Sequence, residues 1–321
     1  MRTRSLSFCV SLILGAVLVA GCGNKGTDTS TVPATSKPRI ALVMKSLANE
    51  FFKTMEDGAK ADQKENAAHY DLITNGIKDE TDVAKQIDLV EQMVAQKVGA
   101  IVIAPADSKA MVGVCKKAMD AGVVVVNIDN KFDSAALAEK GVKIPFVGPD
   151  NRKGASLSGA ELAKKLKPGD KVAIVEGAPN AYNAEQRKLG FQDAIKAAKL
   201  NLITSQTGNW EMDKANQIVA AMITEHPDIK GIMCANDNMA LGAVAALKAA
   251  GKQKSVIVVG FDNISAVQQL VKEGAILATV DQHADKLAIF GIKYALEMLG
   301  KKTTPADRET PVDLITKATL K

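Results

Sequence analysis

Strand–helix alternation along nearly the whole chain predicts a doubly wound α/β fold built on two sheets. Three observations carry this. The strand-like segments, such as Ala100-Ile101-Val102-Ile103-Ala104, are continuous apolar runs rather than alternating ones, which marks parallel strands covered on both faces. Helical patterns separate the runs, as strand–crossover–strand units require. The length, 321 residues, suits about two domains.

In order, the first half is expected to hold a strand at Ile40–Met44, a helix over Glu50–Asn66, a strand near Tyr70–Thr74 and a helix over Thr81–Lys97. The strand Ala100–Ala104, a helix over Ser108–Ala121 and the strand Val123–Ile128 follow. The theme then repeats. Strands are expected at Lys171–Glu176, Leu200–Ser205, Gly231–Cys234, Val256–Gly260 and Ile276–Val280. Helices are expected near Lys153–Leu166, Glu185–Ala198, Asp213–Glu225, Asn238–Ala250, Ser265–Lys272 and Asp285–Leu299. Gly122 and Gly251 suit helix C-termini, where a positive φ costs glycine little. Thr81 and Asp213 suit helix starts. The change of domain falls near Pro145–Pro149.

The N-terminus differs from the rest. Arg2 and Arg4 precede an apolar run from Leu6 to Ala20, and Val19-Ala20-Gly21 leads to Cys22. The run is too short to span a bilayer and reads as a secretory signal over residues 1–21. The small residues before Cys22 resemble a bacterial lipoprotein processing site, which implies cleavage there and lipidation of the Cys22 thiol. Residues 22–38, rich in Gly, Thr, Ser, Pro and Lys, cannot bury a core and read as a flexible tether.

Composition bounds the function. Hydrophobic residues make up 47% and charged residues 24%, the balance of a globular protein with a sizeable core. Lys and Arg total 41 against 36 Asp and Glu, and two of the positives sit in the leader. The remainder is mixed in sign, without the basic stripe that nucleic acid demands. Cys115 and Cys234 lie in apolar stretches with no metal-ligand spacing and read as buried free thiols; an oxidised pair is the lesser alternative, since they fall in different domains. His69, His226 and His283 are scattered and fit no metal pattern. No cofactor motif stands out.

In sheets of this kind ligands bind beyond the carboxyl ends of the strands. Those positions carry Lys45 to Phe52, Asp129-Asn130, Asn236-Asp237-Asn238, Phe261-Asp262-Asn263 and Asp281-Gln282. Carboxylates accept paired hydrogen bonds from neighbouring hydroxyls, and amides both donate and accept. Aromatics offer a flat face to the C–H side of a sugar ring. Each residue also has a plainer reading. Phe51 and Phe52 are either helix core or cleft wall. Asp129 and Asp262 either meet ligand or cap the following segment. Trp210 either packs or stacks on ligand, Lys45 is either a surface charge or a cleft residue, and Arg187 either reaches inward or faces solvent.

The ordered set Lys45 to Phe52, Val126-Asn127-Ile128-Asp129-Asn130, Ala235 to Gly242, Val259-Gly260-Phe261-Asp262 and Ala278 to Gln282 resembles the periplasmic sugar-binding proteins of the ribose and allose type, which serve ABC importers. The resemblance covers nearly the whole mature chain. It implies two doubly wound parallel-sheet lobes joined by a three-crossing hinge, the type I periplasmic binding protein fold, with one lobe over residues 39–147 plus 283–310 and the other over 148–282 plus 311–321. It implies ligand contacts at Lys45, Asn49, Phe51, Phe52, Asp129 and Asn130 from the first lobe and Arg187, Trp210, Asn236 and Asp262 from the second, with Gln282 near the hinge. Lys45 stands where ribose binders carry a small hydroxyl, in which the chain looks more like the allose type. Asn130 stands where they carry an arginine, and in Ala184-Glu185-Gln186-Arg187 the family's usual first arginine is replaced by Glu185.

The implied function is an extracytoplasmic, lipid-anchored receptor that closes on a monosaccharide (a pentose, hexose or related polyol) and delivers it to an ABC permease. The partners expected are that sugar and that permease, with neither nucleic acid nor a second copy. An alternative is a sensor read by a chemoreceptor or a sensor kinase. An enzyme using Asp129 and Asp262 as an acid–base pair is disfavoured, since no nucleophile motif, phosphate loop or metal cluster accompanies them. A sugar-responsive repressor shares this core but needs a DNA-binding head where this chain has a leader and a tether.

Overall fold

A computed structural model describes residues 37–320. The leader, Cys22 and most of the tether therefore lie outside the described residues. The first run of elements is β1 (Arg39–Ser46), α1 (Glu50–Glu65), β2 (Asp71–Ile77), α2 (Val83–Ala95), β3 (Ala100–Ile103), α3 (Ala110–Asp120), β4 (Val124–Ile128), α4 (Ser134–Glu139) and β5 (Phe146–Pro149). The second is α5 (Asn151–Ala163), β6 (Lys171–Glu176), α6 (Tyr182–Ala197), β7 (Asn201–Thr207), α7 (Met212–Glu225), β8 (Gly231–Cys234), α8 (Asp237–Ala249), β9 (Ile257–Val259), α9 (Ser265–Glu273) and β10 (Ala278–Asp281). The chain ends with α10 (Ala284–Lys301), β11 (Arg308–Thr310) and β12 (Asp313–Thr316).

The strands form two six-stranded sheets, ordered β11-β5-β4-β3-β1-β2 and β12-β10-β9-β8-β6-β7. Pairing is parallel except between β10 and β12. Strands such as β3 (AIVI) and β8 (GIMC) are buried along their whole length, as parallel strands with helices on both faces must be. The chain passes between sheets three times: after Pro149, after Asp281, and between Thr310 and Asp313. In both sheets the strand order turns at the first strand, β1 or β6, and ligand sites gather at such switch points.

Several local expectations shift. Gly148 and Pro149, assigned above to the second lobe, extend β5 of the first sheet by pairing with Glu309 and Thr310 of β11. Helix α2 is capped by Asp82, whose side chain accepts from Lys85 N. Thr81 is instead held in a turn by Asp79, which accepts from both its backbone and its hydroxyl. Asp213 lies inside the first turn of α7, behind Glu211 at the cap position. Helix α6 begins at Tyr182, three residues before the expected start. Gly122 and Gly251 do end their helices, at φ of 87° and 67°. Cys115 and Cys234 are both free and buried.

Candidate functional site

The carboxyl ends of the two sheets face each other across a small cavity. From the first lobe it is lined by Lys45, Asn49, Phe51, Phe52, Glu80 and Asp129. From the second come Asn183, Arg187, Trp210, Asn236 and Asp262, with Gln282 at a crossing. Larger surface grooves exist near the hinge and along one rim, but they hold none of these strand-end residues.

Each side chain is placed by ordinary local rules. Asn49 and Asn236 are N-cap residues of α1 and α8; their side-chain oxygens accept from Phe51 N (3.1 Å) and Met239 N (2.9 Å). The cap fixes each oxygen and leaves the amide nitrogen toward the cavity side, donating to Glu80 Oε1 at 2.9 Å and to Trp210 O at 3.3 Å respectively. Phe51 and Phe52 meet edge to face, with centroids 5.0 Å apart, the arrangement that the ring quadrupole favours. They thus serve as both helix core and cavity wall. Trp210 adopts φ 71° and is almost fully buried. A Cβ on Gly177 would lie 2.1 Å from its ring, so glycine at that position makes room for the indole.

Charge in the cavity is arranged in two sets. In the second lobe, Arg187 points inward: Nε donates to Asn151 Oδ1 (2.8 Å), and Nη1 donates to Ala235 O (2.8 Å) and Asp262 Oδ1 (3.3 Å). Its guanidinium lies 3.7 Å from the centroid of the Phe261 ring, a stacked cation–π contact. Gln282 Nε2 donates to the same Asp262 oxygen at 2.7 Å. Burial pushes the Asp262 carboxyl well above its usual range, against the pull of Arg187. In the first lobe, Lys45 Nζ lies 3.6 Å from Asp129 Oδ2, beyond hydrogen-bond range, and 5.4 Å from the Trp210 centroid. Burial raises the Glu80 carboxyl to about 7, opposed by Lys45 and Asn49 and assisted by Asp129 and Glu211.

Four buried polar atoms on these lining side chains find no hydrogen-bond partner among the described residues: Asp129 Oδ2, Asn183 Oδ1, Gln282 Oε1 and Trp210 Nε1. Three accept and one donates. Such a group left unmatched costs about 1–3 kcal/mol, so the cavity offers an incoming partner three acceptors and one donor. Among the described residues no cluster of His, Cys, Asp and Glu suits a metal ion.

Of the side chains singled out in the sequence, Asn130 stands apart. It is fully buried but does not line the cavity. Its Nδ2 donates to Pro105 O at 2.9 Å, and its Oδ1 accepts from Ser108 Oγ and from Asn183 N, both at 3.2 Å. Two lining residues were not foreseen, Glu80 and Asn183. Glu80 follows β2, which runs to Ile77 rather than stopping near Thr74, so its place at a strand's carboxyl end was hidden. Asn183 lies in the first turn of α6, ahead of the expected helix start.

Two parallel-sheet lobes sharing three crossings, with a small aromatic-walled polar cavity between their strand ends, have the build of a solute-binding receptor. The chain belongs to the periplasmic binding protein domain family, whose model matches residues 40–303. It is 55% identical over 310 residues to the D-ribose/D-allose-binding protein of Pseudomonas aeruginosa, covering 95% of this chain and 97% of that one. Among solved structures it resembles an ABC transporter solute-binding protein from Burkholderia multivorans, with a TM-score of 0.86, 59% identity and coverage of 87% and 99%. It also resembles one from Actinobacillus succinogenes with bound D-allose, with a TM-score of 0.82, 36% identity and coverage of 88% and 98%. The family is one of solute-binding proteins rather than enzymes, and it places the domain outside the cytoplasmic membrane. Among the described residues no helix is long and apolar enough to cross a membrane.

Proposed function

We propose that this protein is the extracytoplasmic sugar-binding receptor of an ABC transporter, closing on one monosaccharide and delivering it to the permease. The observation that carries the reading is the set of buried atoms without partners among the described residues on Asp129, Asn183, Gln282 and Trp210, in a cavity also lined by Phe51 and Phe52. A sugar hydroxyl both donates and accepts, so one ring satisfies such a mixed set. Its C–H faces suit the aromatic walls. D-Allose and D-ribose, the sugars in the name of the Pseudomonas relative, are the first candidates, and the buried Lys45 sides with the allose type.

The mechanism is a population shift: sugar bridges both lobes, favours the closed form, and the closed surface is what the permease reads. ATP hydrolysis belongs to the transporter. In this reading the ligand contacts are Lys45, Asn49, Phe51, Phe52, Asp129, Glu80, Asn183, Arg187, Trp210, Asn236, Asp262 and Gln282. Cleavage before Cys22 and lipidation of its thiol tether the receptor at the membrane surface.

The chain has a single tryptophan, Trp210, so its fluorescence reports the cavity. Titration of ligand-stripped protein with pentoses, hexoses, ketoses and polyols, checked by calorimetry, is expected to give saturable binding of one sugar. Silence across the panel by both methods refutes the sugar reading.

A further inference from the structure

Helix α6 carries two cavity residues, Asn183 and Arg187, yet its N-terminus lacks what the comparable helices have. Helices α1 and α8 are capped by their own Asn49 and Asn236. At the same place α6 has Ala181, in the extended conformation of an N-cap residue but with no side-chain acceptor. The first N–H groups of a helix have no intrahelical partner and must find one elsewhere.

The acceptors come from the other lobe. Tyr182 N donates to Ser108 Oγ at 2.9 Å, and Asn183 N donates to Asn130 Oδ1 at 3.2 Å. Both acceptors are held rigidly. Ser108 Oγ donates to Asn130 Oδ1, Asn130 Nδ2 is tied to Pro105 O, and Ser108 O accepts from Asp133 N at 2.9 Å. The contact is reciprocal, because Ser108 N donates to Asn180 O at 3.0 Å just ahead of the helix. Ser108, Asn130 and Asn183 are all buried.

We infer that the first lobe caps α6 in trans, so that closing the cleft completes the helix that presents Asn183 and Arg187. Asn130 and Ser108 are then positioning residues that act on bound sugar through this helix. The inference rests on the proposed sugar site and deepens it. In the open form the first turn of α6 loses both caps and its amides turn to water. Bound sugar and the completed cap therefore stabilise each other, since both exist only when the lobes meet.

Hydrogen exchange on the full chain tests this, with D-allose and D-ribose as the ligands. The Tyr182 and Asn183 amides are expected to exchange quickly without sugar and to gain strong protection with it. Ser108→Ala should abolish that gain at Tyr182 and weaken sugar affinity about fivefold, the usual effect of losing one cap. Adding Ala181→Ser to Ser108→Ala supplies a cap within α6 itself and should restore part of both, an outcome that a merely structural role for Ser108 does not produce. Equal protection with and without sugar overturns the inference, as does a Ser108→Ala protein of unchanged affinity. A ligand-independent arm separates this from failure of the sugar reading. Glu50 Oε1 accepts from Ser265 N at 2.7 Å across the cleft, away from α6. A Glu50→Cys/Ser265→Cys protein joined by a short bis-maleimide is held closed, and should show the same two amides protected without sugar. If neither sugar binds, this arm alone decides: protection on cross-linking supports the cap, and fast exchange in the cross-linked protein sinks it.

Discussion

Asp129 and Asp262 hold the same station in their two lobes. Each follows the fourth strand of its sheet in chain order, β4 or β9, and each has a positive φ, 60° and 122°. Their surroundings differ. Asp262 is already hydrogen-bonded to Arg187 and Gln282, whereas Asp129 Oδ2 has only Lys45 at 3.6 Å and no hydrogen bond among the described residues. Two topologically equivalent carboxylates thus do different work. The second lobe's anchor is assembled by the lobe itself, with Arg187 held in turn by Asn151 and Ala235. The first lobe's carboxylate leaves one oxygen without a hydrogen bond among the described residues. In the proposed receptor, the preorganised half would receive the sugar first and the unmatched half would close on it.

The largest effect is expected from Asp262→Ala. It removes one partner of a buried ion pair and strands Arg187, a change that costs about 3–5 kcal/mol. Sugar affinity should fall at least about 100-fold, and the sugar-free melting temperature should fall by several degrees. Titration and thermal melts check both. Asp129→Asn comes next. Losing a charge-assisted hydrogen bond to ligand is worth about 1.5–3 kcal/mol, so affinity should drop about 10- to 100-fold while sugar-free stability stays close to wild type. If the two substitutions lower sugar-free stability equally, the contrast between the lobes is wrong.

Proton linkage sharpens the same contrast. Glu80 belongs to the first lobe, and burial in the closed cleft raises its carboxyl to about 7. Exposed to water a glutamate titrates near about 4.3. The closed form therefore favours neutral Glu80. Its contribution is fully present below about 4.3 and is lost as pH rises through about 7. Sugar affinity should fall between these values, by up to about tenfold per pH unit, and level off above them. Glu80→Gln should flatten that slope. A slope unchanged in this variant would move the linkage to another group, with Asp262 the next in the cavity. The smallest effect is expected for Gly177→Ala. Its Cβ would collide with the Trp210 ring, and shifting the indole should weaken binding several-fold and alter its fluorescence, with overpacking of about 1–3 kcal/mol.

Much of the site was legible because doubly wound sheets put function at strand ends. Lys45, Asn49, Asp129, Asn236, Asp262 and Gln282 follow apolar runs directly and line the cavity. Glu80 escaped because β2 is only half-buried along most of its length and Thr74, Asn75 and Gly76 broke the apolar run. The edge strands β11 and β12, only three and four residues long, carry too little pattern to be read. Asn183 escaped for a more instructive reason. The start of a helix is read from its capping residue, and the caps of α6 are Ser108 and Asn130, more than fifty residues away.

The sequence by itself determined the fold class, the two sheets and most strand ends, because continuous apolar runs and helical periodicity are local consequences of burying one face or two. Only the tertiary structure decided that Arg187 turns inward onto Asp262, that Asn130 grips the other lobe instead of lining the cavity, and that Glu80 lines that cavity. Those outcomes depend on which side chains meet across the cleft. That is set by the packing of segments far apart in the chain, and local residue pattern carries no record of it.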